Sequence, residues 1–373
     1  MANKKRIIFT INDFAIGGAQ RVYLDLFSAL PQDAYELHLV TFFEFPEYGD
    51  MYRFLPPHVS VHRYSFRGFM DIRSWYRLAR DLRHLKPRLA VSSLFFSNTV
   101  MRVLGIFLGT PVVPIEHNTY SKKTRLQIAV DTLLARWSPA IVAVSSTVAQ
   151  FTAEQERIPE EKFRVIHNGV NTEQIAGRIP PLDARLALRA QLGFRAEEKV
   201  IVNVARLTPQ KNQMALIAAF EKFVQSHSDY RLLLIGPGPM YDDLARRIVQ
   251  GSASGKIVLL GGKTDVIPYY CISEFFVSAS LIEGFGLAHA EALACGIPVL
   301  TTRTAGPDEM IVDGVNGYFI KDTTIEEIVA GLEKMVQRPI IAAPETLRAS
   351  IEKYSIEAMA SRYASLINEF ATS

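Results

Sequence analysis

The chain has 373 residues, of which 49% are hydrophobic and 21% charged. The composition is typical of a globular protein with a substantial core, and the length predicts two domains. The longest apolar stretch, from Val103 to Ile115, is interrupted by Gly and Pro and is too short to predict a transmembrane helix. The net charge is only +3, but residues 1–170 carry 21 Lys and Arg against 15 Asp and Glu, so this basic half is expected to meet any anionic surface.

Short apolar runs alternate with helical patterns in both halves, which predicts parallel βαβ units in two doubly wound domains with a cleft between them. The segment 176–183 is predicted to be the linker, and residues 355–370 the last helix. Strands are expected, in chain order, at residues 6–11, 36–42, 89–92, 112–116, 140–144, 163–166, 200–204, 231–235, 257–260, 275–278, 297–301 and 317–320.

Two features of the sequence indicate the cellular compartment in which the protein folds. The first residues are basic and then apolar, but Asn12 and Asp13 break the run too early for a signal peptide. The two cysteines, Cys271 and Cys295, lie in apolar contexts and predict buried thiols of a reducing compartment.

Residues 71–86 predict an amphipathic helix. Its packed face is expected to consist of Ile72, Trp75, Ala79, Leu82 and Leu85, with Arg73, Arg77, Arg80 and His84 opposite. Such a helix usually packs on its sheet as a plain surface element. A second interpretation is an anionic membrane face, to which further basic residues would contribute: Arg63, Arg67, Arg83, Arg88, Lys122, Lys123 and Arg125.

The most informative segment follows the strand predicted at 275–278. Glu283 and Glu291 bracket E-G-F-G-L-A-H-A-E, in which glycines form a tight turn and residues 287–294 have helix-forming composition. The helix N-terminus offers free N–H groups to a phosphate. Because the carboxylates are too far apart to flank one bond, they suit a long ligand with hydroxyls at both ends and phosphate between, such as a sugar nucleotide.

Three other strand-end motifs predict contacts to the same ligand. Gly17 and Gly18 at a helix entrance allow close approach of a diphosphate, or form a plain turn. Arg206 and Lys211, five residues apart on one loop, could stabilise a departing nucleoside diphosphate without a metal, or be a solvated charge pair. His117, in E-H-N, would hydrogen-bond the sugar if it faces the cleft, whereas a lone histidine is usually structural.

Metal-binding and hydrolase motifs are absent from the sequence. It contains no D-x-D, no H-E-x-x-H and no G-x-S-x-G, and its eight histidines do not cluster. No metal cofactor and no nucleic-acid partner are expected.

Nearly the whole chain resembles the retaining glycosyltransferases of family 4, which have the GT-B fold. The resemblance lies in motifs that occur in the family's order: G-G-A-Q-R, E-H-N, N-G-V, A-R-L-x-x-x-K-N, G-P-G-P, the long segment around Glu283 and G-P-D-E-M-I-V-D-G-V-N-G. It implies an N-terminal Rossmann-like domain (1–178) that binds the acceptor, a C-terminal one (179–354) that binds the nucleotide sugar, and a final helix (355–373) that crosses back to the first domain.

The resemblance also implies a role for each matching residue. Glu283 and the backbone of Gly284, Phe285 and Gly286 would hold the donor sugar. The N–H of Leu287, with Arg206, Lys211 and the Gly17–Gly18 loop, would hold the diphosphate. Glu291 would bind the ribose, and His117 would contact the sugar near the reacting carbon. Two positions depart from the family pattern: Gln20 replaces a glutamate, and Ala279 precedes Ser280 where proline is usual.

Similarity further implies a pathway and leaves two rivals. UDP-sugars are the favoured donors, and the acceptor would be a glycolipid or polyprenyl-diphosphate-linked glycan of lipid-linked oligosaccharide, lipopolysaccharide or capsule assembly. The protein would then be cytoplasmic and peripheral on the inner membrane face. The rivals are a nucleotide-sugar epimerase of the same fold, whose pattern of acids is not evident in this chain, and a non-catalytic partner subunit, which would have lost the charged residues.

Overall fold

The computed structural model describes residues 4–44 and 51–371, which form two α/β units. The first comprises the described residues up to Gly169 together with those from Ile356 onward, and the second comprises Val170–Ser355. Within the part of the chain that the structure describes, no helix is both long and apolar enough to cross a bilayer.

The first unit is built on a seven-stranded parallel sheet in the order β3-β2-β1-β4-β5-β6-β7. Its strands are β1 (Lys5–Ile11), β2 (Tyr35–Thr41), β3 (Ser60–Arg63), β4 (Leu89–Ser93), β5 (Val112–Glu116), β6 (Ile141–Ala143) and β7 (Phe163–Val165). Its helices are α1 (Gly18–Ala29), α2 (Ile72–Leu85), α3 (Phe95–Leu108), α4 (Arg125–Leu134), α5 (Ser146–Glu156) and α15 (Ile356–Phe370).

The second unit repeats the plan with a six-stranded parallel sheet in the order β10-β9-β8-β11-β12-β13. Its strands are β8 (Lys199–Val204), β9 (Tyr230–Ile235), β10 (Ile257–Leu259), β11 (Phe275–Ser278), β12 (Val299–Thr302) and β13 (Gly317–Ile320). Its helices are α6 (Thr172–Gly177), α7 (Leu182–Gln191), α8 (Gln213–Phe223), α9 (Tyr241–Gln250), α10 (Ile267–Tyr270), α11 (Leu287–Ala294), α12 (Ala305–Met310), α13 (Ile325–Gln337) and α14 (Pro344–Ala349).

The composition of the strands explains why both sheets are covered on both faces. β9 runs Y-R-L-L-L-I, and its last four residues, Leu232 to Ile235, are fully buried. β1 similarly buries Ile7, Ile8 and Phe9 completely. Such continuous apolar runs belong to parallel sheets with helices on each side, so polar side chains are confined mainly to the strand ends.

The division between the units differs from the expected one at residue 178. Val170 donates its N–H to the carbonyl of Tyr354 at 2.8 Å and forms a β-bridge with Ser355, so the second unit begins there. The expected linker at 176–183 lies within the second unit, and half of its eight residues are helical, because α6 continues to Gly177 and α7 begins at Leu182. The last helix, α15, lies in the first unit and packs against α1.

Helix α2 packs through the expected face except at Ile72. Leu82 is buried, and Trp75, Ala79 and Leu85 are partly buried against the same hydrophobic cluster. Ser74 and Leu78 are buried as well, whereas Ile72 is 77% exposed. The helical period therefore identified four of the five residues of the stripe.

Candidate active site

The two central strands of the second sheet create a crevice at their carboxyl ends. β8 and β11 are neighbours, but the chain leaves β8 toward β9 and leaves β11 toward β12, in opposite directions. Ligands of open α/β sheets bind at such a switch point. The loops at this point are residues 205–212, which carry Arg206 and Lys211, and residues 279–286, which carry Glu283.

An ion pair joins these two loops. Lys211 Nζ lies 2.5 Å from Glu283 Oε1, and the side chains are only 17% and 14% exposed. The Ser280 hydroxyl donates to the same Glu283 oxygen at 3.0 Å. Burial alone would raise the pKa of Glu283, but the positive charge of Lys211 and the hydrogen bonds from Lys211 and Ser280 outweigh it and lower the pKa. Glu283 is therefore an ionised acceptor at neutral pH.

Main-chain hydrogen bonds hold the same two loops together. Leu281 donates its N–H to the carbonyl of Gln210 at 2.9 Å, and Gln210 Nε2 donates to the carbonyl of Ile282 at 2.9 Å. These hydrogen bonds hold the two loops together independently of the ion pair, and they limit how far Lys211 and Glu283 can separate.

The G-P-G-P turn supports the Arg206 loop from the side. Gly236 has φ +153°, and a Cβ there would lie 1.8 Å from the carbonyl oxygen of Ala205. Pro237 accepts a hydrogen bond from the N–H of Leu207 at 2.9 Å. The G-P-G-P turn therefore packs against the backbone around Arg206. The Arg206 side chain itself is exposed and forms no ion pair with the described residues.

Helix α11 begins at the end of the Glu283 loop. Its N-cap, Gly286, has φ +84° and supplies no side-chain cap, so the N–H of Leu287 at the start of the helix is available to an anion. One turn further on, Glu291 lies beside Tyr270, whose hydroxyl donates to the carbonyl of Ala288 at 3.1 Å and reaches Glu291 Oε2 at 3.4 Å.

His289 is a buried residue of this site that the sequence analysis did not identify. Its Nε2 lies 2.8 Å from Thr301 Oγ1, and that hydroxyl donates to the carbonyl of Thr302, so Nε2 carries the proton. Burial lowers the pKa of His289 to about 4, which keeps the ring neutral at pH 7. Its separation of six residues from Glu283 across a turn and a helix start gave no signal that the two would be neighbours.

The first unit presents its own switch point between β1 and β4. Gly17 and Gly18 follow β1, and His117 follows β5, the next strand along. His117 Nε2 lies 3.0 Å from the hydroxyl of Ser93, which also lies 2.7 Å from the hydroxyl of Tyr23 in α1. Burial lowers the pKa of His117 to about 4, so this imidazole is neutral as well.

The side chain of Gln20 lies so close to Gly17 that a larger residue at position 17 would collide with it. Gly17 has extended backbone (φ −170°), so its conformation does not require glycine, but a Cβ would lie 2.4 Å from Gln20 Oε1. Gln20 Nε2 donates to the Asp13 carboxylate at 3.1 Å. A glutamate at position 20 would place a second carboxylate beside that of Asp13. The amide of Gln20 avoids this repulsion and donates to Asp13 instead.

Comparison with known proteins gives two family models that match in succession. The model described as Glycosyltransferase Family 4 matches residues 16–174, and that described as Glycosyl transferases group 1 matches residues 184–358.

Curated relatives and a solved structure agree with these matches. The alpha-monoglucosyldiacylglycerol synthase of Acholeplasma laidlawii is 29% identical over 78% of this chain and 77% of its own. The UDP-Gal:alpha-D-GlcNAc-diphosphoundecaprenol alpha-1,3-galactosyltransferase of Escherichia coli is 23% identical over 87% and 86%. The crystal structure of Anabaena HepE in complex with UDP-glucose superposes with a TM-score of 0.85 over 98% of this chain and 99% of its own at 18% identity, a likeness of fold.

A glycine at position 306 is predicted to be necessary for the Glu283 loop. A Cβ at Gly306 would lie 2.1 Å from the carbonyl oxygen of Phe285, and the Gly306 N–H approaches the carbonyl of Glu283 at 3.4 Å. Gly306→Ala should therefore lower the free energy of unfolding by about 1 to 3 kcal/mol, measured by urea denaturation. Gly255→Ala, where a Cβ meets nothing within 4 Å, is the matched control. Equal stability of the two variants would contradict the tight packing of Gly306.

Proposed function

The chain belongs to the family 4 glycosyltransferases, and from that premise we propose that it moves a sugar, with retention of anomeric configuration, from a nucleotide diphosphate sugar to a membrane-associated glycolipid or polyprenyl-diphosphate-linked glycan. The observation that carries the proposal is the Lys211–Glu283 ion pair at the carboxyl ends of β8 and β11, beside the uncapped start of α11. A charged, partly buried site of this kind also argues against a partner subunit that has lost its chemistry.

The donor is proposed to bind the second unit through groups of matching charge. The ionised Glu283 accepts hydrogen bonds from sugar hydroxyls, aided by the backbone of Gly284, Phe285 and Gly286. Arg206, Lys211 and the N–H of Leu287 take the diphosphate. UDP is the favoured nucleotide because the Escherichia coli relative is named for UDP-Gal.

Charge development explains why these residues would accelerate transfer. As the glycosidic bond breaks, negative charge accumulates on the diphosphate, and positioned cations and helix N–H groups stabilise it most in the transition state. His117, neutral at pH 7, can hydrogen-bond a sugar hydroxyl without adding positive charge near the cationic anomeric carbon. The Gly17–Gly18 turn is proposed to contribute to diphosphate binding.

The acceptor is proposed to bind the first unit and to be lipid-linked. The names of the two relatives support this class: one is a diacylglycerol glycolipid synthase, and the other acts on a diphosphoundecaprenol-linked sugar. A peripheral position on the cytoplasmic membrane face follows from such an acceptor.

The surface around the start of α2 supports membrane contact. Met70 and Ile72 are 89% and 77% exposed, and Tyr76 is 69% exposed. Arginines flank these apolar side chains on the same helix, at Arg73, Arg77 and Arg80. An exposed apolar tip with basic neighbours is the composition that binds the interface of an anionic bilayer.

Substitution of Glu283 is expected to affect catalysis, whereas substitution of Glu291 is expected to affect nucleotide binding. Glu283→Gln should lower kcat strongly but leave affinity for the free nucleoside diphosphate nearly intact, since its contacts strengthen only in the transition state. Glu291→Gln should weaken nucleoside diphosphate binding by roughly 1 to 3 kcal/mol, measured by calorimetry. Glu345→Gln, whose side chain is 77% exposed, is the control. The reverse pattern would contradict the donor placement, and an epimer formed from donor alone would indicate isomerisation.

Turnover is proposed to need no metal, because Arg206, Lys211 and the α11 N-terminus supply positive charge. Activity should therefore survive EDTA, whereas Arg206→Ala and Lys211→Ala should each lower kcat by about 10²-fold or more. The measurement is initial transfer rate with and without chelator. Complete loss of transfer that Mg²⁺ or Mn²⁺ restores would contradict metal independence.

Membrane binding is predicted to depend on the arginines of α2. The triple reversal of Arg73, Arg77 and Arg80 to Glu should release the protein from anionic vesicles, and wild-type binding should weaken as salt rises. Co-sedimentation with liposomes is the measurement.

A control with the same change in charge separates this surface from net charge alone. Lys222, Lys321 and Arg246 lie in the second unit with side chains 55%, 81% and 70% exposed, and their reversal to Glu should leave vesicle binding largely intact. Equal wild-type binding to neutral vesicles would contradict the electrostatic part of the proposal.

A further inference from the structure

A cluster of buried charges lies beneath the loop that follows His117. Lys123 Nζ lies 2.5 Å from Glu156 Oε1, 3.0 Å from Asp131 Oδ2 and 3.6 Å from Glu116 Oε2. Arg102 also pairs with Asp131. The five residues come from α3, β5, the following loop, α4 and α5, so the cluster joins four elements and one loop. The expectation that Lys123 belongs to a membrane-facing basic surface is therefore wrong.

Burial makes these ion pairs different from surface ones. The side chains of Lys123, Glu116, Asp131, Glu156 and Arg102 are all 9% exposed or less. Removing one partner from such a pair leaves an uncompensated charge in the interior, which is strongly destabilising. Burial works against the ammonium, but the three carboxylates outweigh it and raise the pKa of Lys123.

The charge balance of the cluster is close to neutral. Burial and the adjacent Glu116 raise the pKa of Glu156 to about 7, so this carboxyl is partly protonated near neutral pH. Burial raises the pKa of Glu116 as well. The three carboxyls therefore carry less than three full negative charges against the two cations near neutral pH.

Lys123 closes the loop that begins at His117. Glu116 is held in the sheet by its pairing with Ala143, and Lys123 returns to contact the Glu116 side chain. Between them, residues 120, 121 and 122 are exposed. The loop is also tied at Tyr120, whose carbonyl accepts from Gln155 Nε2 at 3.2 Å, but Lys123 alone among residues 118–124 sends its side chain into the interior charge cluster.

We propose that Lys123 is the positioning residue for His117: its ammonium, held by Glu116, Asp131 and Glu156, fixes the 117–124 loop so that the His117 ring stays against Ser93. Among the residues that the structure describes, the ring has one side-chain partner at hydrogen-bond distance, the Ser93 hydroxyl at 3.0 Å, which alone does not determine the path of the chain beyond it. The link to sugar transfer rests on the proposed function, but the anchoring of the loop does not.

The test compares Lys123→Met with Lys123→Arg. Lys123→Met should release the loop, seen as faster hydrogen–deuterium exchange of residues 117–124, and should let the pKa of His117 rise toward about 6.5 in an NMR titration. Lys123→Arg keeps a charged donor and should restore most of both properties. In the transfer reaction, Lys123→Met should lower kcat at least tenfold, with nucleoside diphosphate binding within twofold of wild type.

Two further variants keep the test decisive. Should Lys123→Met fail to fold, Lys123→Met/Glu156→Gln removes the ammonium with less charge imbalance, and it should release the loop in the same way. Lys162→Met is the control for lost stability, because Lys162 Nζ donates to the carbonyls of Ala135 and Ser138 at 2.8 and 3.0 Å, away from the loop. It should leave the exchange of residues 117–124, the His117 titration and kcat unchanged.

The outcomes distinguish this inference from the proposed function. Wild-type exchange and an unchanged His117 titration in the Lys123→Met variants would overturn the positioning role, whatever the activity. A released loop with wild-type kcat would overturn its link to the reaction. Absence of sugar transfer by the wild-type protein would count against the proposed function, while the exchange and titration results would still decide the role of Lys123.

Discussion

Burial of both faces of a parallel sheet is the constraint on which the rest of this structure depends. When strands such as β1 and β9 consist of buried apolar residues, ionised groups have few places along the strands except their ends. The loops there carry Glu283 and Lys211 in one unit and His117 in the other. The candidate site residues therefore lie at the strand ends, whereas the buried charges around Lys123 are tolerated because they pair with one another.

Glycine packing then determines how closely those loops can approach each other. At Gly236 and Gly306 an added Cβ would enter the backbone of a neighbouring loop. Both neighbours, the segments at Ala205 and Phe285, carry the site. Charged side chains on these loops are therefore positioned by main-chain contacts, and the Lys211–Glu283 ion pair forms on a framework that does not depend on it.

The fold could be predicted from the sequence wherever its signal was local. Apolar runs gave all but one strand to within about two residues at each end, and the composition of residues 287–294 gave α11 with its observed bounds. The missed strand, β3, has the sequence S-V-H-R and lies at the sheet edge with little burial, so it lacks the apolar pattern that predicts a strand. The exposure of Ile72 was missed because helical period identifies a face but not where the packing partner ends.

The proximity of the Lys211 and Glu283 loops was predictable from the sequence, but the contacts that support these loops were not. Motifs that follow strands identified Glu283, Arg206 and Lys211, because parallel topology brings strand ends to one edge. The hydrogen bond from Ser280 that lowers the pKa of Glu283, and the burial of His289 nearby, depend on the turn between β11 and α11. No spacing rule reports such contacts.

Lys211 and Lys123 both pair with carboxylates, but they differ in burial and in the number of partners. Lys211 pairs with one carboxylate at the strand ends, and its side chain is 17% exposed. Lys123 faces three carboxylates with its side chain 7% exposed. No ligand of ordinary size can reach it without breaking the interior. Ion pairs of similar geometry thus leave the Lys211 ammonium partly accessible to solvent and hold the Lys123 ammonium in the interior.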